Sequence, residues 1–323
     1  MRIFTATLAA GAIALAGCAQ TGTTAASPSR TTPTAAATTA PLPEKPAQLP
    51  LPQIPAHITV PEQRAAYIVT HFWDSMDFAD TTLSHDTAFI EQNFANFASL
   101  FPLIDTRTTL SGAAAALMKK AEADRTAYNL LAETADKYLY DPESPMLSEE
   151  AYIPFLEAIT GHPFIDNALR ARYTAQLEDA CKNRQGTTAV DFDMITRAGK
   201  KTTLLKECAG ATAVILMFYD PECDKCSRII SHMDNDGALH AALTSGRVRI
   251  IAVYPDGDED MYATAAGKIP GKWIDAINPG GKITEQELYS LRAIPSIYLL
   301  DGKGTVIMKD ADAAGAIAAA LAM

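Results

Sequence analysis

Residues 213–233 read AVILMFYDPECDKCSRIISHM, and this stretch decides how the carboxy-terminal half of the chain folds. Ala213 to Tyr219 is an unbroken apolar run of strand length, the mark of a strand buried on both faces rather than on one. Asp220 and Pro221 end it. Beyond them Ile229, Ile230 and Met233 recur at helical spacing, so the strand hands Cys223 and Cys226 to the start of a helix. A C-x-x-C pair placed there is the layout of a dithiol redox centre. Unpaired backbone N–H groups and the positive end of the helix dipole favour ionisation of the first cysteine. Cys223 is therefore the expected nucleophile, and Cys226, one turn inward, the thiol that resolves a mixed disulfide.

Working outward from the dithiol, strand and helix patterns alternate across residues 186–323. Val190, Phe192 and Met194 alternate with Asp191, Asp193 and Ile195, and Gly199 reads as the turn of a hairpin. A second apolar strand, Val248 to Tyr254, stops at Pro255-Asp256-Gly257. A helix around Glu285 to Leu291 precedes Ile294-Pro295 and an apolar strand through Leu300. Asp301 to Gly304 form a turn, Thr305 to Met308 a strand, and an alanine-rich helix closes the chain. This order predicts an α/β domain, a mixed central sheet with helices on both faces.

Residues 57–185 carry a different pattern, that of an all-α domain, which makes the chain α+β overall. A capping box, Thr59-Val60-Pro61-Glu62, opens a helix with Ala65, Val69, Phe72, Trp73, Met76 and Ala79 on one stripe. Ile90, Phe94, Phe97 and Phe101 mark a second helix, stopped by Pro102. Further helical spans are expected from Leu110 to Tyr140, from Ser148 to Thr160 and from Ile165 to Lys182. The aromatic stripe of Phe72, Trp73, Phe94, Phe97 and Phe101 reads as core packing rather than a ligand pocket.

The first 56 residues have another character. Ile3 to Ala16 is an apolar stretch too short to stay as a membrane span, and it closes on Leu15-Ala16-Gly17-Cys18. This resembles a bacterial lipoprotein signal peptide, 1–17, which implies that Cys18 becomes the lipid-bearing first residue of the mature chain. Residues 18–56, rich in Thr, Ala and Pro, bury too little apolar surface to fold and read as a disordered tether. The expected location is the cell envelope, anchored to a bacterial membrane and facing the periplasm. An exported dithiol can be held oxidised, so the compartment suits thiol-disulfide chemistry. After Ala56 the chain has 24 basic and 37 acidic residues, a net charge of −13. That excludes nucleic acid as the expected partner and leaves membrane attachment to the acyl anchor.

The strand, C-x-x-C and helix of residues 213–233, the Ile294-Pro295 step ahead of a strand, and the closing hairpin together resemble the thioredoxin-like fold. The match is to its membrane-anchored, periplasm-facing thiol-disulfide oxidoreductases. The resemblance implies a cis proline, Pro295, facing the dithiol, exchange with protein thiols or disulfides, and no organic cofactor. Three departures stand out: Glu222 replaces a tryptophan, Asp224-Lys225 replaces a glycine-proline pair, and Met217 stands where a buried acid usually serves the second cysteine. Without that acid, resolution relies on water or another carboxylate. In the helical part, Arg64-Ala65-Ala66-Tyr67, His71-Phe72-Trp73-Asp74, Asp77-Phe78-Ala79-Asp80 and Glu91-Gln92-Asn93-Phe94 resemble a domain of unknown function found ahead of thioredoxin-like domains in bacterial lipoproteins.

Competing readings attach to the same residues. A structural zinc site needs four ligands, and Cys181 and Cys208 stand apart from the C-x-x-C, with His232 and His240 as the nearest further donors, so no metal is expected. Cys181 ends the helical part and Cys208 precedes the buried strand; they form either a structural disulfide between the two parts or two free thiols. No Walker loop, G-x-S-x-G or H-E-x-x-H occurs. The alternative to an enzyme is a redox-silent binding or scaffold lipoprotein that keeps the fold.

Overall fold

The computed structural model describes residues 48–323. The expected signal peptide, Cys18 and most of the expected tether lie outside them. Residues 48–56 run without regular structure against the helical body, where the Leu49 N–H donates to Oδ1 of buried Asn93 at 2.8 Å.

Among the described residues seven α-helices build the first part: α1 (Pro61–His71), α2 (Thr81–Ser84), α3 (Thr87–Ala98), α4 (Ser111–Ala121), α5 (Arg125–Leu139), α6 (Glu149–Thr160) and α7 (Asn167–Ala180), with a 3-10 turn at Phe101–Leu103 and a π-helical turn at Thr106–Leu110 leading into α4. Asp86, Asp124, Ser148 and Asp166 each cap a helix by accepting the N–H three residues on. The Asp124 cap divides the expected Leu110–Tyr140 span into two helices. The expected capping box does not form, because Pro61 fixes the first helical residue and makes Val60 the cap, without a side-chain bond. Helix α1 ends at His71; Phe72, Trp73, Met76 and Phe78 enter the core from the turns beyond it, and Ala79 is exposed. Phe94 packs against Phe97 and Phe155, and Phe97 against Phe101, with ring centroids 4.9–6.2 Å apart. The aromatic stripe is core, as its spacing implies.

The second part contains β1 (Asp193–Thr196), β2 (Lys201–Thr203), α8 (Leu204–Cys208), β3 (Ala213–Phe218), α9 (Asp224–Asp234), α10 (Gly237–Thr244) and β4 (Val248–Tyr254). It continues through α11 (Glu259–Thr264), β5 (Ile274–Ile277), α12 (Lys282–Glu285), β6 (Ser296–Asp301), β7 (Val306–Met308) and α13 (Ala313–Ala322). The sheet order is β2-β1-β5-β4-β3-β6-β7. Strands β3, β4 and β5 are parallel, and the flanking strands pair antiparallel. Every residue of β3 is buried: Ala213, Ile215 and Met217 face one core with α9 and α13, Val214, Leu216 and Phe218 the other. Residues 186–189 continue the sheet beside β7. Gly186 N–H donates to Val306 O at 2.7 Å, Val306 N–H to Thr187 O at 2.9 Å, and Ala189 N–H to Gly304 O at 2.9 Å.

The expected helix from Glu285 to Leu291 is absent; α12 ends at Glu285. The following residues turn away to serve other groups, Tyr289 donating its hydroxyl to Val190 O at 2.6 Å and Ser290 reaching the helical part. Among the described residues no helix is long and apolar enough to cross a membrane.

Candidate functional site

The end of β3 places Cys223 as the cap of α9. Its Sγ accepts the Cys226 N–H at 3.2 Å, one of the helix's otherwise unpaired donors. The approach loop is fixed from two sides: Glu222 N–H donates to Asp220 Oδ1 at 2.6 Å, and Lys268 Nζ to Pro221 O at 2.7 Å. Cys223 is half-buried and Cys226 buried. Burial, and after it the hydrogen bond with Cys223, pushes the Cys226 thiol up to about 12. At Asp220 a backbone hydrogen bond favours the Cys226 thiolate more than the carboxylate charge opposes it; Met217 is buried in the same core as Cys226.

Pro295 follows a cis peptide bond, and the Ile294 carbonyl accepts from the Cys223 thiol at 3.7 Å. The three expected site residues, Cys223, Cys226 and Pro295, thus come together. Cys181 and Cys208 do not join them, and they do not bond to each other. Cys181 is an exposed thiol at the end of α7 beside Arg184, whereas Cys208 is fully buried among Leu204, Val214 and Leu300. The expected alternative of a disulfide between the parts is corrected to two free thiols in different surroundings. Burial raises the Cys208 thiol to about 12. Among the described residues no three His, Cys, Asp or Glu side chains converge in a way that could hold a metal ion.

Beside the dithiol lies a cleft of about 470 Å³, lined by Pro142 and Leu147 of the helical part, Lys225 and Ile229 of α9, and Arg292 and Pro295. Its floor is an ionic cluster that joins helix α6 to the sheet. Glu149, with 1% of its side chain exposed, lies 2.7 Å from Arg292 Nη2 and 2.5 Å from Lys309 Nζ, itself 2% exposed. The Ser290 hydroxyl lies 2.8 Å from Glu149 Oε1 and 2.6 Å from Asp179 Oδ2. Asp310 Oδ2 accepts the Glu149 N–H at 3.1 Å. Sequence reasoning missed this group because Glu149 and Asp179 lie more than 100 residues from Ser290, Arg292, Lys309 and Asp310, and each charged member alone reads as a surface charge.

Burial, followed by the Glu149 charge, raises the Asp310 carboxyl to about 6 against an ordinary 3.8. The folded state therefore holds this proton more tightly than the unfolded chain, and the stability it contributes is present at pH 4 and lost as pH rises towards 6. Asp310→Asn keeps an acceptor for Glu149 N–H without the charge. It is expected to stabilise the protein at pH 7 by on the order of 1 kcal/mol and to flatten the pH 4–6 slope in urea unfolding. An unchanged slope would place the titration elsewhere.

A parallel β3-β4-β5 core, antiparallel flanks and a helix-capping dithiol facing a proline corner define the thioredoxin-like class. Residues 18–183 match the family model described as "Domain of unknown function (DUF5106)", and the chain belongs to that family, with a thioredoxin-like domain following the matched region. A thioredoxin-like protein from Bacteroides caccae is 31% identical with a TM-score of 0.76, over 85% of this chain and 99% of that one. A conserved protein of unknown function from Bacteroides fragilis is 35% identical with a TM-score of 0.38, over 40% of this chain and 93% of that one. The thioredoxin domain of a thiol-disulfide oxidoreductase from Bacteroides vulgatus is 19% identical with a TM-score of 0.37, over 42% and 94%. No curated protein matches the chain.

Proposed function

We propose that the protein is a lipid-anchored cell-envelope thiol-disulfide oxidoreductase acting on protein disulfides. The observation that carries this reading is the pairing of a half-buried Cys223 at the start of α9 with a buried Cys226 whose N–H contacts the first sulfur. In the reducing direction the Cys223 thiolate attacks a substrate disulfide, forming one S–S bond and breaking another, and the substrate leaves one sulfur as a thiolate. Cys226 loses its proton, attacks the Cys223 sulfur and expels the second substrate thiolate. Two electrons pass to the substrate, and the enzyme's own disulfide is then returned to the dithiol by an external dithiol donor. The half-buried Ile294-Pro295 corner offers the substrate strand its backbone partners.

Insulin reduction with dithiothreitol as donor tests the reading. Turnover that disappears in Cys223→Ser supports it; turnover equal to that of the variant makes the protein a redox-silent scaffold. Attachment is tested separately. Cys18→Ser is expected to move the protein from the membrane fraction to the soluble fraction of cells, and continued membrane association would remove the lipid anchor from the proposal.

A further inference from the structure

We infer that the helical part completes the redox site, with Glu149, Tyr140 and Arg292 acting as positioning residues for the corner that faces Cys223. The inference rests on the proposed exchange activity and adds to it a role for the family's helical region.

Arg292 stands two residues before Ile294, whose carbonyl receives the Cys223 thiol at 3.7 Å. Nothing regular holds that approach, since α12 ends at Glu285 and β6 begins only at Ser296. The segment between them is ten residues long; backbone bonds tie its first three residues to α12, and from Tyr289 onward side chains hold its shape. Arg292 supplies the strongest of these ties, and its own bonds all run to the helical part, whereas Tyr289 is tied to Val190 O. Its Nε donates to Glu149 Oε1 at 2.8 Å and its Nη2 lies 2.7 Å from the same oxygen, so one carboxylate oxygen is held by a charge-assisted contact from two sides of the Arg292 guanidinium. Nη1 donates to Tyr140 O, and the guanidinium carbon lies 3.5 Å from the centre of the Tyr140 ring.

Glu149 cannot swing away with its partner. Lys309 pairs with its second oxygen, Ser290 reaches its first, and Asp310 holds its backbone N–H at the start of α6. Arg292 is only 20% exposed, so water does not readily replace the grip. A rigid path therefore runs from the first turn of α6 through Arg292 to the Ile294 carbonyl. The same cluster floors the cleft beside Pro295, where a substrate segment would lie. Loosening it would free the carbonyl from the thiol and blur the surface against which the substrate is aligned.

The test uses the reduced full chain and two readouts on each variant: iodoacetamide alkylation of Cys223 and Cys226 at pH 7, and kcat/KM for insulin reduction. In Arg292→Ala, Cys223 is expected to alkylate several-fold faster as the carbonyl withdraws. The kcat/KM is expected to fall at least about tenfold, the scale of a misplaced reacting group. Buried Cys226 should stay unreactive, which reports that the fold is intact. Tyr140→Leu should give the same pattern at smaller size, and Arg292→Lys, which keeps the charge, should recover part of the loss. Opposite movement of the two readouts is something a merely destabilised protein does not produce. The inference is overturned if both readouts stay within twofold of the parent, or if Cys226 becomes reactive together with Cys223, since Arg292 would then only hold the fold. If the parent chain itself fails to reduce insulin, the exchange reading falls, while the Cys223 alkylation rates still decide whether the helical part governs that thiol.

Discussion

Cys226→Ser is expected to turn a passing encounter into a stable one: cells carrying it should accumulate disulfide-linked complexes between Cys223 and envelope proteins. The reason is geometric. In the parent, the buried Cys226 thiol is within hydrogen-bonding reach of the Cys223 side chain it must attack, and such intramolecular steps gain many orders of magnitude over attack by a thiol from solution. Removing it leaves only the slow external route, so turnover should drop at least about a hundredfold while the first bond still forms. Burial holds the Cys226 proton well above neutrality, so in the parent the lifetime of the mixed disulfide should shorten as pH rises from 7 to 9. Non-reducing electrophoresis followed by identification of the captured proteins measures both effects. The Cys223→Ser control should capture nothing; equal capture in both variants would remove Cys223 from the reaction.

The second large effect concerns stability. Glu149→Ala is expected to cost about 3–5 kcal/mol in urea unfolding at pH 7, because it takes the shortest carboxylate contact from both Lys309 and Arg292 and leaves Arg292 with Asp179 at 3.8 Å. Lys309 also donates to Ala180 O and Lys182 O at 2.9 and 2.7 Å, so it has no exposed rotamer to retreat to without breaking those bonds. Replacing both partners with apolar residues of similar size should cost much less than the single change, since the penalty lies in the unmatched charge. A loss below about 1 kcal/mol for Glu149→Ala would mean that water reaches the cluster in the folded protein.

The sequence and the structure agree where the signal is local. The apolar run of β3, the two cysteines and the proline ahead of β6 are each readable within a few residues, and they carry both the fold class and the three central site residues. Short elements escaped. β5 is only Ile274-Asp275-Ala276-Ile277, too brief for alternation to show, and Asp275 there is occupied by Tyr219 and Arg197 rather than by solvent. Helix α10 begins at a glycine, where its aspartate cap is the main sign of a start. The expected helix at Glu285–Leu291 failed because Tyr289 and Ser290 are claimed by partners 99 and 141 residues away, a tertiary demand that no local pattern encodes. The Glu149–Arg292 link escaped for the same reason.

The strand-like pairing of residues 186–189 with β7 bears on how the molecule can be dissected. The passage from the helical half to the sheet half is itself the outermost rung of the sheet, so it has no slack to act as a hinge. A shortened protein beginning at Val190 would lose that rung and bare the N–H and C=O groups of β7 along an open edge, inviting association between copies. Expression of the redox half alone should begin no later than Gly186, and even then it would carry the bare cations of Arg292 and Lys309 where α6 used to sit.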